Sequence, residues 1–124
     1  MPRILVVEDN RDARNILATL LKCAGYGVIT AANGLEALDC AARERPALII
    51  TDLDMPEVDG IEMIDRLRCD ENQLARVPII VVSALGRVPL DLASVAGASA
   101  SFRKPFEMEA LLARIEQLLS SVAA

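Results

Sequence analysis

Five short apolar runs alternate with helical patterns along the whole chain. The runs are residues 4–7, 28–30, 48–51, 78–82 and the weaker 98–103. Continuous apolar runs of this length, β-branched in the first four, are typical of strands buried on both faces. Apolar residues recur at helical spacing within residues 16–24, 35–42, 61–67 and 108–122. The alternation predicts an α/β fold: a doubly wound, five-stranded parallel sheet with right-handed crossovers and helices on both faces.

Size and composition indicate a single folded domain. The chain has 124 residues, of which 53% are apolar and 25% are charged. This balance is that of a globular protein and excludes the low hydrophobicity and high charge of disordered chains. We predict one domain over residues 1–124, with no output domain such as a DNA-binding helix-turn-helix.

The charge balance excludes several kinds of ligand. The net charge is −5 and only one Tyr and two Phe are present, so direct nucleic-acid binding, which needs phosphate neutralisation or base stacking, is not predicted. No secretory signal or run of ~18 apolar residues is present, so we expect a cytoplasmic protein without membrane contact. The chain has no histidine, which excludes histidine metal sites and Ser-His or Cys-His catalysis.

Local signals predict where helices begin and end. Asn10 and Asn33 are suited to cap the N-termini of helices, and Pro89 suits a first helical turn. Gly25 and Gly97 are expected to end helices.

The three cysteines, Cys23, Cys40 and Cys69, are odd in number and lie far apart within helical patterns. We therefore expect them to be reduced, and buried or half-buried.

The residues at the carboxyl ends of the predicted strands carry unusual chemistry. They are Glu8, Asp9, Asp52, Asp54 two residues further on, Ser83 and Lys104. Ligands of open α/β sheets bind beyond these strand ends, and neighbouring strands lie about 4.8 Å apart. Asp9 and Asp52 should therefore lie within several ångströms of each other, an arrangement that requires a cation.

An oxygen-rich site of carboxylates, a carbonyl and waters selects Mg²⁺ or Mn²⁺. Lys104, one of only two lysines, and the hydroxyl of Ser83 would then suit the oxygens of a phosphoryl group. Asp52 is the candidate nucleophile that forms an aspartyl phosphate. Each residue alone also suits an ordinary role, as a helix cap, turn residue or surface charge, but their joint occurrence at four strand ends favours phosphoryl chemistry.

At these positions the chain resembles the receiver domain of bacterial two-component response regulators, of the chemotaxis type with a flavodoxin-like fold. The resemblance covers essentially the whole chain and is carried by residues 4–10, 52–56, 59–60, 83–84, 97–98 and 104–106. It implies that Asp52 accepts a phosphoryl group from a phosphohistidine of a sensor histidine kinase or phosphotransfer protein, or from a small acyl phosphate.

The resemblance also implies a role for each remaining site residue. Asp9, Asp52 and the backbone carbonyl of Asp54 would hold the metal, with Glu8 acting through water. Ser83 and Lys104 would contact the phosphoryl group. Such a domain catalyses only its own phosphorylation and slow dephosphorylation, so it is a switch rather than an enzyme.

The resemblance further implies that Ser83 moves on phosphorylation together with residues 84–89. This movement would reshape the face made by the fourth helix, fifth strand and fifth helix, where an unidentified downstream protein or a second copy would bind. The fourth-helix region, residues 83–97, is somewhat short and apolar, which suits either ordinary packing or such a partner surface.

The chain departs from the family pattern at Ser101, where receivers usually carry the Tyr or Phe that moves inward on activation. Phe102 stands next to it and should face the other way, into the core, because side chains alternate along a strand. We therefore expect an output face unlike that of aromatic-switch receivers. Equal partner affinity for the wild type and Ser101→Tyr, in both phosphorylation states, would count against this expectation.

Three alternatives remain at this level. The chain is expected to be a stand-alone receiver, but a fragment of a larger regulator or hybrid kinase has the same sequence pattern. A phosphorylation-independent interaction module has the same fold. The Asp52-x-Asp54 pair also resembles the nucleophile motif of haloacid-dehalogenase-type phosphatases, although those place it after the first strand.

Overall fold

The five predicted strands form one parallel sheet. The computed structural model describes residues 2–52, 60–69, 76–83 and 97–123. The strands are β1 Arg3–Val7, β2 Gly27–Ala31, β3 Leu48–Asp52, β4 Ile79–Ser83 and β5 Ala100–Arg103, in the spatial order β2-β1-β3-β4-β5. Strand β2 lies on one side of β1, whereas β3 and the later strands lie on its other side. The direction in which strands are added therefore reverses between β1 and β3. Ligands of doubly wound sheets bind beside such a reversal.

The helices are α1 Arg11–Cys23, α2 Gly34–Glu44, α3 Gly60–Arg68 and the C-terminal helix Met108–Ala123. The prediction of a five-stranded, doubly wound α/β fold is therefore confirmed. Among the described residues, no helix combines the length and apolarity needed to cross a membrane. The helix predicted between Ser83 and Gly97 lies outside the described residues, as do Pro89 and the segment 84–89.

Successive side chains of the buried strands point to opposite faces of the sheet and pack into two separate hydrophobic cores. On one face Leu5 and Ile49 pack with Met63 and Ile64 of α3. On the other face Ile50, Val82 and their neighbours pack with side chains of α1 and the C-terminal helix, including Leu21, Leu111 and Ile115. Because β1, β3 and β4 are covered on both sides, their carboxyl ends are held in fixed positions.

Both predicted asparagine caps are confirmed. The Asn10 side chain accepts a hydrogen bond from the Ala13 N–H at 2.9 Å, and Asn33 accepts one from the Glu36 N–H at 2.8 Å. Gly25, with φ +100°, follows the end of α1 as predicted. Gly97 also has a positive φ, but the helix it was predicted to end is not among the described residues.

Replacing Asn33 by alanine should lower the free energy of unfolding by about 1 kcal/mol, because the Glu36 N–H loses its capping acceptor. Urea denaturation measures the change. Asn33→Asp restores an acceptor and should stay near wild-type stability. Equal stabilities of the alanine and aspartate variants would contradict the capping role.

The cysteine prediction is only partly right. All three thiols are free and Cys40 is buried, but Cys23 and Cys69 are exposed. Cys23 is the last residue of α1, two positions beyond the buried Leu21, and therefore turns away from the sheet. Cys69 follows the last residue of α3 and belongs to neither core cluster of the described residues.

Candidate functional site

The carboxyl ends of four neighbouring strands meet at one edge of the sheet. Strand pairing aligns Asp52 of β3 with Val82 of β4, so Ser83 lies one residue further along the same edge. The Lys104 N–H donates to the Ser83 carbonyl at 2.8 Å, which continues the ladder between β4 and β5 past the end of β5. The parallel register thus brings together side chains that are far apart in sequence.

Lys104 joins two of the acidic residues. Its Nζ lies 2.9 Å from Asp52 Oδ2 and 3.4 Å from Glu8 Oε1. The Asp52 and Glu8 side chains are only 8% and 9% exposed, whereas Lys104 is 33% exposed. The ammonium therefore reaches inward from the rim of the site and compensates part of the buried negative charge.

The three acidic residues converge closely enough to bind one cation. Carboxylate oxygens of Glu8, Asp9 and Asp52 all lie within 4.8 Å of one another, which confirms the expected meeting of Asp9 and Asp52. Glu8 Oε2 is buried and has no hydrogen-bond partner within the described part of the chain. Hard carboxylate oxygens with an unsatisfied buried member fit a divalent cation such as Mg²⁺.

Burial and mutual proximity shift the pKa values at the site. Burial, followed by the adjacent Asp52 carboxylate, raises the pKa of Glu8 to about 8, although Lys104 opposes the shift. Burial alone would lower the pKa of Lys104, but the hydrogen bonds and charges of Asp52 and Glu8 outweigh it and raise that pKa. At neutral pH and without a cation, Lys104 is charged and Glu8 mostly holds a proton.

The remaining predicted site residues differ in how they are placed. Ser83 is completely buried at the end of β4, the strand next to β3, which ends in Asp52. Ser101 is exposed in β5. Phe102 packs into the core on the side of the C-terminal helix, with its ring centroid 5.9 Å from that of Phe106, so the expected direction of Phe102 is confirmed. Asp54 lies outside the described residues.

Arg14 also contacts the site, which the sequence patterns did not predict. Its Nη1 donates to the backbone carbonyl of Glu8 at 2.9 Å, which ties α1 to the end of β1. The available signal was its position in the first turn after the Asn10 cap, but many exposed helical arginines share that position. Only the folded geometry distinguishes it.

A family model decides the class of this site. The model of the response regulator receiver domain matches residues 4–116. The chain belongs to the response regulator receiver domain family. Receiver domains of this family act as signalling switches in two-component systems, and the flavodoxin-like fold anticipated for this chain is the fold of its structural neighbours.

Two sequence relatives of this receiver domain are longer regulators. It is 37% identical over 120 residues to the DNA-binding dual master transcriptional regulator RpaA of Synechocystis, covering 96% of this chain and 49% of that protein. It is 42% identical over 118 residues to the response regulator MprA of Mycobacterium leprae, covering 94% of this chain and 50% of that protein. The chain thus spans about half the length of these relatives.

Solved structures show the same arrangement of elements. The chemotaxis response regulator CheY4 of Vibrio cholerae aligns with a TM-score of 0.85 and 32% identity, over 95% of this chain and 98% of that one. The receiver domain of a sensor histidine kinase from Pseudomonas aeruginosa aligns with a TM-score of 0.88 and 30% identity, over 96% of this chain and 98% of that one. The latter structure has a magnesium ion coordinated in its active site cleft.

Proposed function

We propose that this receiver domain accepts a phosphoryl group on Asp52 from a phosphohistidine of a sensor histidine kinase or phosphotransfer protein. The observation that carries the proposal is the position of Asp52: a buried carboxylate, paired with Lys104 at 2.9 Å, within a cluster of acidic groups that fits a divalent cation. The proposed nucleophile, the ammonium proposed to bind phosphate and the proposed cation ligands therefore lie at one edge of the sheet.

In the proposed transfer, an Asp52 oxygen attacks phosphorus while the bond from phosphorus to the donor nitrogen breaks. Lys104 and the Ser83 hydroxyl hold phosphoryl oxygens in position, so most of the acceleration comes from positioning and charge compensation. Asp9, Asp52 and the Asp54 carbonyl would hold Mg²⁺ or Mn²⁺, with Glu8 acting through water. The bound ion supplies charge neutralisation to the transferring oxygens.

Phosphorylation of Asp52 would act as a timed switch. Hydrolysis of the acyl phosphate resets the domain, which catalyses no other reaction in this proposal. While Asp52 is phosphorylated, Ser83 would move toward the phosphoryl group and draw residues 84–89 with it. This movement would alter the face that contains β5 and the C-terminal helix. That face would receive a downstream protein or a second copy, and exposed Ser101 replaces the usual aromatic there.

The proposed partners of this domain are proteins rather than nucleic acid or membrane. The net charge of −5 disfavours direct contact with phosphate backbones. Three free cysteines fit a reducing compartment, and we expect the domain to act in the cytoplasm.

Intact-mass measurement after incubation with acetyl phosphate and Mg²⁺ tests the proposal. The wild type should gain one phosphoryl group, and this gain should disappear with EDTA or in Asp52→Asn. Asp39→Asn is the matched control, because Asp39 is an exposed aspartate on α2 that pairs with Arg43 and is not a member of the cluster. It should be phosphorylated like the wild type.

A folded wild type that gains no mass under these conditions would contradict the proposal and favour a phosphorylation-independent interaction module. Continuous turnover of a nitrophenyl phosphate would instead indicate a phosphatase with Asp52 as nucleophile.

A further inference from the structure

Few polar side chains are buried in the described part of the chain: they are Glu8, Thr51, Asp52 and Ser83. Three of them have a place in the proposed phosphoryl transfer, but Thr51 does not. Thr51 immediately precedes Asp52 in β3 and is completely buried. The burial of its hydroxyl group therefore requires a separate explanation.

The neighbours of Thr51 in the sheet are apolar. Strand pairing aligns it with Val7 of β1 and Val81 of β4, and Ile49 lies two residues earlier on the same face of β3. Valine has nearly the shape of threonine, and it would bury no polar group in these surroundings. Packing alone does not account for a threonine at this position.

The Thr51 hydroxyl contacts the backbone of the proposed nucleophile. Its Oγ1 donates a hydrogen bond to the Asp52 carbonyl oxygen at 2.9 Å, and this contact is buried. Because the peptide group is planar, a fixed carbonyl oxygen fixes the plane of the peptide that follows Asp52. The bond thus restrains rotation of the Asp52 backbone at the point where β3 ends.

The Asp52 carboxylate is joined to this restrained backbone through one methylene group. Its Oδ2 lies 2.9 Å from Lys104 Nζ, and one of its oxygens lies within 4.8 Å of carboxylate oxygens of Glu8 and Asp9. A rotation of the backbone would displace the carboxylate relative to all three groups. Attack on phosphorus is sensitive to such a displacement, since a shift of about 1 Å can slow a reaction by about 100-fold.

We propose that Thr51 is a positioning residue for the phosphorylation of Asp52. Its hydroxyl holds the Asp52 peptide in the orientation that directs the carboxylate toward Lys104 and an incoming phosphoryl group. No bond to Thr51 forms or breaks in the transfer, because the residue acts through the backbone of Asp52. This inference rests on the proposed function of Asp52 and adds to it a residue that the transfer itself does not use.

Two substitutions of Thr51 separate the hydroxyl group from the packing of the side chain. Thr51→Val removes the hydroxyl and fills the same volume, whereas Thr51→Ser keeps the hydroxyl and removes a buried methyl group. The rate of Asp52 phosphorylation by acetyl phosphate at saturating Mg²⁺ is followed by intact mass, and urea denaturation in EDTA measures stability. We expect Thr51→Val to react roughly tenfold more slowly than the wild type. Thr51→Ser should react at nearly the wild-type rate, although its urea midpoint falls.

Ile49→Val is the matched control, because it removes a buried methylene group from the same face of β3 without touching the hydroxyl. It should lower the urea midpoint and leave the phosphorylation rate unchanged. The pair Thr51→Ser and Thr51→Ala isolates the hydroxyl a second time, without the bulk of valine. The serine variant should again react roughly tenfold faster than the alanine variant.

Equal rates for the wild type and Thr51→Val, or for Thr51→Ser and Thr51→Ala, would overturn this inference and leave the phosphorylation of Asp52 in place. A comparable loss of rate in Ile49→Val would assign the effect to core packing and would overturn it as well. A folded wild type that gains no phosphoryl group would overturn the proposed function, and the role of Thr51 with it.

Discussion

Replacing Lys104 by methionine is expected to slow phosphorylation of Asp52 by about 100- to 1,000-fold at saturating Mg²⁺. The ammonium of Lys104 lies 2.9 Å from Asp52 Oδ2, where it can also contact the oxygens of an incoming phosphoryl group. Methionine keeps the length and apolar stem of the side chain but removes this charge. The rate with acetyl phosphate, followed by intact mass, measures the loss.

The same substitution should strengthen cation binding. In the wild type the Lys104 ammonium neutralises the charge of Asp52, so its removal leaves a more negative cluster and should tighten Mg²⁺ binding by about tenfold. Slower phosphorylation together with tighter Mg²⁺ binding would indicate loss of a phosphate contact, because general damage to the site would weaken Mg²⁺ binding as well.

Lys22→Met is the matched control, because the chain's other lysine lies in the last turn of α1 and makes no contact with the cluster. This variant should match the wild type in both measurements. The phosphorylation rate of Lys104→Arg should lie between those of the wild type and Lys104→Met, since arginine restores a positive charge without the compact ammonium. Phosphorylation of Lys104→Met at the wild-type rate would rule out the proposed phosphate contact.

The residues that meet at the carboxyl ends of the strands could be predicted from the sequence, because a parallel sheet leaves few possible arrangements of those ends. Apolar runs located the strands within a residue or two, and a parallel register brings every carboxyl end to the same edge. The meeting of Asp9 and Asp52 then follows from the adjacency of β1 and β3. The direction of Phe102 follows from strand alternation in the same way.

Helix surfaces were harder to predict because the spacing of apolar residues does not fix how a helix is rotated on the sheet. Ile16 and Leu20 belong to the apolar stripe of α1, yet both are substantially exposed, because the turn through Phe106 leaves a gap beside them. The exposure of Cys23 and the contact of Arg14 with Glu8 depend on the same rotation. Such features arise from packing between segments far apart in sequence.

Without a divalent cation, the free energy of unfolding should fall by roughly 3 kcal/mol as the pH rises from 5 to 8, given about 1.4 kcal/mol per pKa unit and partial solvent access at the sheet edge. The pKa of Glu8 is about 8 in the folded chain, against an ordinary value of 4.5. The folded state therefore holds a proton that the unfolded state releases, and stability falls as the pH rises through this interval. The chain has no histidine, whose titration would otherwise overlap.

Urea denaturation in EDTA at several pH values measures this slope. Glu8→Gln should flatten it, because glutamine carries no charge to bury, and should be the more stable chain at pH 8. Glu116→Gln, an exposed position on the C-terminal helix, should keep the wild-type slope. Mg²⁺ should stabilise the wild type at pH 8 far more than at pH 5, where it must displace the Glu8 proton. An unchanged slope in Glu8→Gln would show that the pH dependence arises elsewhere.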